Sequence, residues 1–295
     1  MRVNATTRAY NLVDNIRNNI HKIKNTVRKD KLHDIILLNK KFKNIHRGER
    51  CFILGNGPSI KECDLNILKN ELVISVNQFS KFEGYKDVYS NYHIWSDNAF
   101  FNVSKKESGN DFLNVVKGIK TKDNDPECFF ISDAYDYVSK HNLDKYLKIN
   151  YFKHDYRFNE SYNKKFDFTK ILPVFYTVVH YAIALAIYMG CKEIYLLGCD
   201  CTGIISHVQM KCDMGLKGYA YDMNEEDKKR LQEMHSNDDN ENLFYGQAQI
   251  FRGYKILNEY CKKRDIKLVN CSKNGILTEL DCNSLENVLK NVSDN

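Results

Sequence analysis

The sequence contains no apolar run that approaches the roughly eighteen residues needed for a membrane-spanning helix. Its first residues, MRVNATTRAYNL, also lack the apolar segment of a signal peptide. We therefore expect a cytoplasmic protein without a transmembrane helix. With 295 residues, of which 43% are hydrophobic, the chain is long enough to bury a sizeable core.

The cysteines lack the paired C-x-x-C spacing of a zinc site, although the chain has ten of them. The nearest approach is Cys199 and Cys201 with Cys212. Scattered cysteines in a chain without a signal peptide are expected to stay reduced rather than to form disulfides. The sequence therefore predicts neither a disulfide framework nor a metal site.

The stretch CFILGNGPSI, residues 51–60, predicts a short buried strand followed by a tight turn. A loop of small residues after the first strand of a parallel sheet is a common place for phosphate or ribose to bind. The residues of this loop that we predict to contact a nucleotide are Gly55, Asn56, Gly57 and Ser59. A helix is expected from Ser59 or Asp64 towards Leu68. The alternative is an ordinary turn, which explains both glycines without a ligand.

Two further predicted strands end in polar residues, as the first one does. LVISV at 72–76 is followed by Asn77, and a strand at 93–95 is followed closely by Asp97. Because parallel strands gather their carboxyl ends at one edge, we expect these side chains to line one cleft with Asn56. Taken singly, each of them is also explained as a turn residue.

Residues 177–203 predict a helix, a glycine and a buried strand. Apolar residues recur at helical spacing up to Gly190, and Glu193–Leu197 then form the strand. Asp200 follows that strand, so we predict that it contacts substrate or orients another catalytic group. The alternative is a structural cap. Thr177 and Gly198 complete the predicted nucleotide-binding set.

The middle and the end of the chain are less regular. After a predicted strand at Cys128–Ile131, residues 134–170 are rich in aromatic and polar residues, which we interpret as an insertion over a sugar site. Residues 204–242 are polar and predict a lid that contains His207 and His235. His235 is our candidate general base, although a lone loop histidine is often merely exposed. A helix at 248–264 and a strand at 267–270 follow.

Residues 1–48 hold the excess of positive charge, with twelve Lys and Arg against three Asp, whereas the rest of the chain is mildly acidic. Apolar residues recur there at helical spacing and predict two amphipathic helices. Such an arm suits an anionic membrane surface, its own domain or a sister subunit, so a homo-oligomer stays open. Nucleic acid is not predicted, because the basic residues are not regularly interleaved with stacking aromatics and the body of the protein is mildly acidic.

These observations predict an α/β protein with a Rossmann-like, doubly wound, mainly parallel sheet. We expect residues 49–280 to form this single nucleotide-binding domain, with a lid at about 204–242. The basic helical arm at 1–48 precedes it, and a tail at 281–295 follows it.

Four motifs resemble a known group of proteins, in order and approximate spacing. They are GNGPS at 55–59, VNQF at 76–79, GCKEIYLLGCD at 190–200 and YAYD at 219–222. The group comprises the bacterial sialyltransferases of glycosyltransferase family 42 and the related motility-accessory-factor and 6-hydroxymethylpterin-pyrophosphokinase-like proteins. The resemblance covers about residues 50–275 and leaves the basic arm outside.

The resemblance implies a GT-A-like domain whose sheet edge binds a CMP-activated sugar without a metal cofactor. Tyr219 matches a tyrosine that donates a hydrogen bond to the leaving phosphate in the sialyltransferases, where hydroxyl donors stabilise that group. The family histidine is expected near residues 245–248, where this chain has none, so His235 is a displaced substitute. The tyrosine expected after the acid is also replaced, by Cys201 and Thr202.

We accordingly predict a glycosyltransferase that uses a nucleotide-activated sugar, CMP-linked to sialic acid, Kdo or a related sugar, in surface-glycan biosynthesis. Its partners are the donor and a glycan or lipid-linked glycan acceptor. One alternative is a pyrophosphokinase-like phosphotransferase, which requires Mg²⁺ and ATP or GTP, with Asp97 and Asp200 as ligands. Another is a nucleotide-binding protein without catalysis.

Overall fold

Short strands alternate with helices along the described part of the chain, which is residue 12 and residues 32–101, 110–205, 225, 228 and 240–290 of a computed structural model. The strands are β1 Arg50–Leu54, β2 Leu72–Val76, β3 Tyr92–Trp95, β4 Glu127–Ile131, β5 Lys148–Phe152, β6 His154–Arg157, β7 Leu172–Val174, β8 Glu193–Leu197, β9 Lys267–Asn270 and β10 Asp281–Cys282. The α-helices are α1 Leu32–Leu37, α2 Asn110–Lys117, α3 Tyr135–His141, α4 Val178–Met189, α5 Asn240–Lys262 and α6 Leu285–Lys290. Single 3-10 turns or short 3-10 helices lie at Leu38–Phe42, Pro58–Glu62, Leu65–Leu68, Asn77–Lys81, Glu83–Asp87, Asn98–Phe101, Ser132–Ala134 and Leu143–Lys145.

Eight of these strands form one sheet in the order β10-β9-β8-β1-β2-β3-β4-β5. Every neighbouring pair in it is parallel. Strands β6 and β7 form a separate parallel pair. Both faces of the sheet are covered by apolar clusters, which is why central strands such as β2 read as continuous apolar runs. The predicted Rossmann-like, doubly wound parallel sheet is confirmed.

The strand order reverses between β1 and β8. From β1 the chain adds β2 to β5 on one side, whereas β8, β9 and β10 extend the sheet on the other. In open α/β sheets the crevice at such a switch point, outside the carboxyl ends of the strands, is where ligands bind. The two loops that border it are those after β1 and after β8.

Helices α4 and α5 both begin at the carboxyl edge of the sheet. Gly190, which ends α4, accepts a 3.0 Å hydrogen bond from the N–H of Gly48, just before β1. The N–H of Lys267, which follows α5, donates at 2.8 Å to the carbonyl of Lys192, just before β8. Because both helices end at the amino edge, their N-termini face the side on which the switch-point crevice opens.

The helix expected from Ser59 or Asp64 towards Leu68 is absent as a single α-helix. Two 3-10 helices, Pro58–Glu62 and Leu65–Leu68, take its place. Cys63 between them is extended, and the Asp64 side chain accepts from the N–H of Asn66 at 3.1 Å. This local bond starts a new turn and interrupts the helix.

The interpretation of residues 134–170 as an insertion over a sugar site is wrong for much of that stretch. It contains α3 and also β5, which pairs with β4 as the edge strand of the main sheet. Lys148 is exposed and Ile149 half-buried, whereas the last three residues of β5 are buried. This uneven burial at a sheet edge leaves no regular apolar alternation for a sequence pattern to detect.

Residues 32–48 pack on the sheet, although we expected them to belong to a separate arm. Ile36 and Phe42 are buried, and the Asn39 amide donates to the carbonyls of Tyr151 and Phe168 at 2.7 and 2.9 Å. At the other end, β10 and α6 occupy part of the expected tail, and β10 pairs with β9. Within the described residues, no helix combines the length and the apolar character that crossing a membrane requires.

Candidate active site

The glycine loop after β1 is bonded to the loop after β8 across the switch point. The N–H of Gly55 donates to the carbonyl of Leu197 at 2.8 Å, and the N–H of Gly57 donates to that of Gly198 at 2.7 Å. Both amides are therefore already satisfied by the protein. A phosphate at this crevice has to find other donors.

Close contact between the two loops explains why glycine occupies these positions. A Cβ on Gly55 would lie 2.4 Å from the carbonyl oxygen of Gly198, and one on Gly57 would lie 2.5 Å from Oδ2 of Asp200. Gly198 also has a φ of +62°, a conformation that favours glycine. The structure thus supports packing, the alternative that needs no ligand, as the reason for these three glycines.

Asp200 holds the start of the first 3-10 helix. Its side chain accepts the backbone N–H of Ser59 at 2.8 Å through Oδ2, and the Ser59 hydroxyl donates to Oδ1. Asp200 is only 2% exposed, and burial raises the pKa of its carboxyl while the Ser59 hydrogen bonds lower it. The geometry is that of the structural alternative: the carboxylate orients Ser59 and packs behind the glycine loop.

Asn56 and Asn77 lie side by side at the ends of β1 and β2. The Asn56 amide donates to the carbonyl of Val76 at 3.3 Å, and Asn77 adopts the left-handed region with a φ of 46°. Within the described part of the chain, Oδ1 of each residue is buried and has no hydrogen-bond partner. A buried amide oxygen without a partner costs about 1–3 kcal/mol, so a neighbouring pair of them indicates a place for a ligand's donors.

The N-terminus of α4 lies at the same edge, and Thr177 is the N-cap residue of this helix. Thr177 is extended, makes no side-chain cap and accepts the N–H of His180 at 3.1 Å through its carbonyl. The helix packs over β1, β2 and β3. Its N-terminal end carries partial positive charge and amides suited to an anion.

Three of the predicted strand-end residues follow strands whose carboxyl ends meet at one edge of the sheet, and their role in lining a nucleotide cleft stays a prediction. Asn56, Asn77 and Asp97 follow neighbouring parallel strands, and all three are half-buried. His235 and Tyr219, the other predicted catalytic residues, lie outside the described residues, as does His207. So does the expected lid, apart from residues 204, 205, 225, 228 and 240–242.

His180 is a feature that the sequence analysis missed. It lies in the first turn of α4, is fully buried, and neither ring nitrogen has a hydrogen-bond partner within the described residues. Its ring packs edge-on against Tyr254 at 4.4 Å between centroids and faces Gly253, where a Cβ would approach to 2.3 Å. Burial lowers the pKa of His180 to about 3. A lone histidine at the start of an apolar helix was the only sequence signal for this contact.

The chemistry of the described side chains also bears on metals and thiols. Over the ranges that the structure describes, no three His, Cys, Asp or Glu side chains gather as metal ligands do. Nine cysteines fall within these ranges, and all are free thiols. Carboxamides and a helix N-terminus, rather than grouped carboxylates, therefore line the described part of the crevice.

Two solved structures share part of this fold. The sialyltransferase CstII from Campylobacter jejuni, in complex with the substrate analogue cytidine-5'-monophosphate, matches 80% of this chain and 85% of its own length, with 21% identity and a TM-score of 0.46. The MAf glycosyltransferase from Magnetospirillum magneticum AMB-1 matches 90% of this chain with 14% identity and a TM-score of 0.44. The match covers 42% of that longer chain.

A family match covers most of the sheet and its switch point. Residues 17–205 match the family described as 6-hydroxymethylpterin diphosphokinase MptE-like. No curated protein matches the sequence. The matched range includes the glycine loop, α4 and Asp200, and it confirms the predicted relationship to the pyrophosphokinase-like group.

Proposed function

The chain belongs to the 6-hydroxymethylpterin diphosphokinase MptE-like family, and from the geometry of the crevice we propose that it transfers a sugar from a nucleotide-activated donor to a glycan acceptor. The donor's nucleotide binds at the switch point between β1 and β8. Its phosphate lies at the N-terminus of α4.

One observation carries this proposal: the two buried amide oxygens of Asn56 and Asn77 have no partner among the described residues, at the edge where α4 begins. Ribose hydroxyls and a base amino group are donors that suit amide oxygens. The helix N-terminus suits the phosphate. The crevice therefore offers amide oxygens that can accept hydrogen bonds from a nucleoside and a helix N-terminus that can bind its phosphate.

We propose a CMP-linked donor because its leaving group carries a single phosphate. Neutral hydrogen-bond donors and a helix end stabilise such a group without grouped carboxylates for a metal. In the reaction an acceptor hydroxyl attacks the anomeric carbon, the carbon–oxygen bond to phosphate breaks, and CMP leaves with the electron pair. The acceptor proton passes to a base, for which His235 stays our candidate, and Tyr219 is proposed to donate to the leaving phosphate.

The acceptor side of the site is proposed to lie along the first turns of α5. Tyr254 of this helix meets the first turn of α4 at the carboxyl edge. The helix starts at Asn240 and so extends about 20 Å beyond this point at 1.5 Å per residue. Phe244 on this extension is 56% exposed, and an exposed aromatic ring suits stacking on a sugar.

The family description favours a second candidate, a Mg²⁺-dependent diphosphokinase that uses a purine triphosphate. Asp97 and Asp200 are its candidate metal ligands. The Asp200 carboxylate is held by Ser59 and covered by the glycine loop. This candidate therefore requires the carboxylate to leave Ser59 before it reaches a metal.

A thermal-shift titration with CMP, CDP, UDP, GDP and ATP, each with and without Mg²⁺, tests both candidates, since a ligand of the folded state raises Tm by mass action. We expect a shift with CMP that does not depend on Mg²⁺. Asn56→Asp should strongly reduce it, because the new carboxylate cannot make the amide bond to the carbonyl of Val76 and brings a negative charge into the crevice that the phosphate shares. The matched control is Asn163→Asp, the same change at an exposed site.

The outcomes separate the candidates. A shift only with ATP or GTP and Mg²⁺ supports the diphosphokinase and overturns the sugar donor. A CMP shift without turnover of any CMP-sugar supports a nucleotide-binding protein without transferase activity. No shift with any nucleotide, or an equal shift in Asn56→Asp, overturns nucleotide binding at this crevice.

A further inference from the structure

The 3-10 helix Leu38–Phe42 is anchored by only one of its faces. A 3-10 helix has three residues per turn, so residues three apart share a face. Asn39 and Phe42 form the buried face: the Asn39 amide binds two backbone carbonyls, and the Phe42 ring packs edge-on against Phe129 at 4.8 Å. The segment is therefore held firmly on the body of the protein.

The other two faces of this helix expose leucine together with lysine. Leu38 shares one face with Lys41, and Leu37, directly before the helix, shares the other with Lys40 and Lys43. Leu38 is 66% exposed, Leu37 is 44% exposed, and Ile45 shortly after them is 45% exposed. Single exposed apolar residues are ordinary, but three large ones within nine positions are a feature that needs a partner.

The charge of this surface is mainly positive, although Lys41 Nζ lies 3.5 Å from a carboxylate oxygen of Glu127. Lys40, Lys41, Lys43 and Arg47 are exposed, and residues 37–47 contain no acidic residue. The preceding sequence is also basic, whereas the chain after Gly48 carries 32 basic and 35 acidic residues. The excess of positive charge therefore lies in the sequence up to Gly48, and its described part, residues 37–47, complements an anionic partner.

From these observations we infer that Leu37, Leu38 and Ile45, with the lysines between them, form a surface that binds anionic lipid bilayers. Aliphatic side chains enter the boundary between headgroups and acyl chains, while lysine side chains reach the phosphates. A protein partner with an acidic, apolar groove and nucleic acid are the competing occupants. Nucleic acid is disfavoured because the exposed residues at 37–47 include no aromatic ring on which bases could stack.

The lipid-binding surface continues to the edge of the sheet opposite the crevice. Directly after the 3-10 helix, Asn44 and His46 bond through their N–H groups to the carbonyls of Tyr188 and Met189 at the end of α4, at 3.1 and 2.9 Å. Nucleotides bind, under the proposed function, at the other end of α4. Lipid binding and nucleotide binding are therefore expected to be independent.

Co-sedimentation of the full chain with vesicles tests the inference. We expect binding to phosphatidylcholine vesicles that contain phosphatidylglycerol, weaker binding in high salt, and little binding to pure phosphatidylcholine. Leu37→Asn with Leu38→Asn, and separately Lys40→Gln with Lys43→Gln, should each weaken binding about tenfold. Matched controls are Ile67→Asn with Ile276→Asn, and Lys69→Gln with Lys86→Gln, all at exposed positions.

The possible outcomes distinguish a lipid-binding surface from a dimer interface and from a nucleic-acid site. Loss of binding in both test variants but in neither control supports the lipid surface. No binding to anionic vesicles, or binding that both test variants retain, overturns it. A dimer that Leu37→Asn with Leu38→Asn dissociates, without vesicle binding, assigns the surface to a second copy instead. Binding to a DNA duplex in place of vesicles assigns it to nucleic acid.

Discussion

Ser59 and Asp200, which lie 141 positions apart, are joined by two hydrogen bonds across the switch point. The backbone N–H of Ser59 donates to Oδ2 of Asp200 at 2.8 Å, and its hydroxyl donates to Oδ1. The pair connects the loop after β1 to the loop after β8. It therefore fixes the floor of the crevice in which Asn56 and Asn77 lie.

Removing either member of this pair should destabilise the fold, and the two effects should not add. Ser59→Ala removes one hydrogen bond and is expected to cost about 1–2 kcal/mol, whereas Asp200→Ala leaves two buried donors unpaired and should cost about 3 kcal/mol. The double variant should cost about 1 kcal/mol less than the sum. Urea unfolding of the four proteins measures this coupling, and strict additivity would contradict the structure.

Glycine substitutions distinguish tight loop packing from ordinary backbone freedom. Gly57→Ala places a Cβ 2.5 Å from the Asp200 carboxylate, so we expect a loss of about 3 kcal/mol or an unfolded protein. Gly246→Ala, on the exposed start of α5 with open space around it, should instead stabilise by about 0.5–1 kcal/mol. Thermal unfolding compares the two variants; equal effects would rule out close packing at Gly57.

His180 should make stability depend on pH below neutrality. Burial lowers its pKa from the usual 6.5 to about 3, so between these values the unfolded chain binds a proton that the folded protein does not. The free energy of unfolding therefore does not depend on the protonation of His180 above pH 6.5. Between pH 6.5 and about 3 it decreases by about 1.4 kcal/mol for each pH unit that the pH falls. The stability of His180→Leu relative to the wild type should therefore be about 2 kcal/mol greater at pH 5 than at pH 7.5.

The measurement is denaturant unfolding of both proteins at pH 7.5 and pH 5. The pKa of His93 is also lowered to about 3 by burial, but His93 is present in both proteins and cancels in the difference. A difference that does not change with pH would mean that His180 is not buried as a neutral ring.

Phe244 separates the acceptor side of the proposed reaction from the donor side. Phe244→Ala should reduce transfer to a glycan acceptor about fivefold to tenfold through lost stacking, while hydrolysis of the donor without acceptor stays unchanged. The control is Tyr89→Ala, which removes an exposed aromatic ring just before β3, at the amino edge. An equal loss of hydrolysis and transfer would place Phe244 outside an acceptor site.

Patterns of apolar residues predicted the central strands well. The strands expected at Cys51–Leu54, 72–76, Cys128–Ile131 and Glu193–Leu197 agree with β1, β2, β4 and β8 within one residue. Each is buried on both faces and so leaves a continuous apolar run in the sequence. The edge strand β5 was not predicted, because its uneven burial leaves no regular apolar pattern in the sequence. The interruption of the helix after the glycine loop was not predicted either, because it depends on a local side-chain hydrogen bond.

The candidate site was predicted in part. Placing Asn56, Asn77 and Asp97 at one edge required only the knowledge that their strands are parallel neighbours. The packing of Gly55 and Gly57 on the loop after β8 was not predictable, because the distances that exclude a Cβ involve residues about 140 positions away. The burial of His180 depended in the same way on Gly253 of a distant helix.

The sequence by itself determined which segments are apolar enough to become buried strands, and which polar residues follow them. Those properties are local, since burial and turn formation depend on neighbouring residues. Only the tertiary structure decided that Asp200 accepts hydrogen bonds from Ser59, and that Leu37 and Leu38 stay exposed beside a buried Asn39. Such outcomes depend on which surfaces meet across long separations, and composition does not encode them directly.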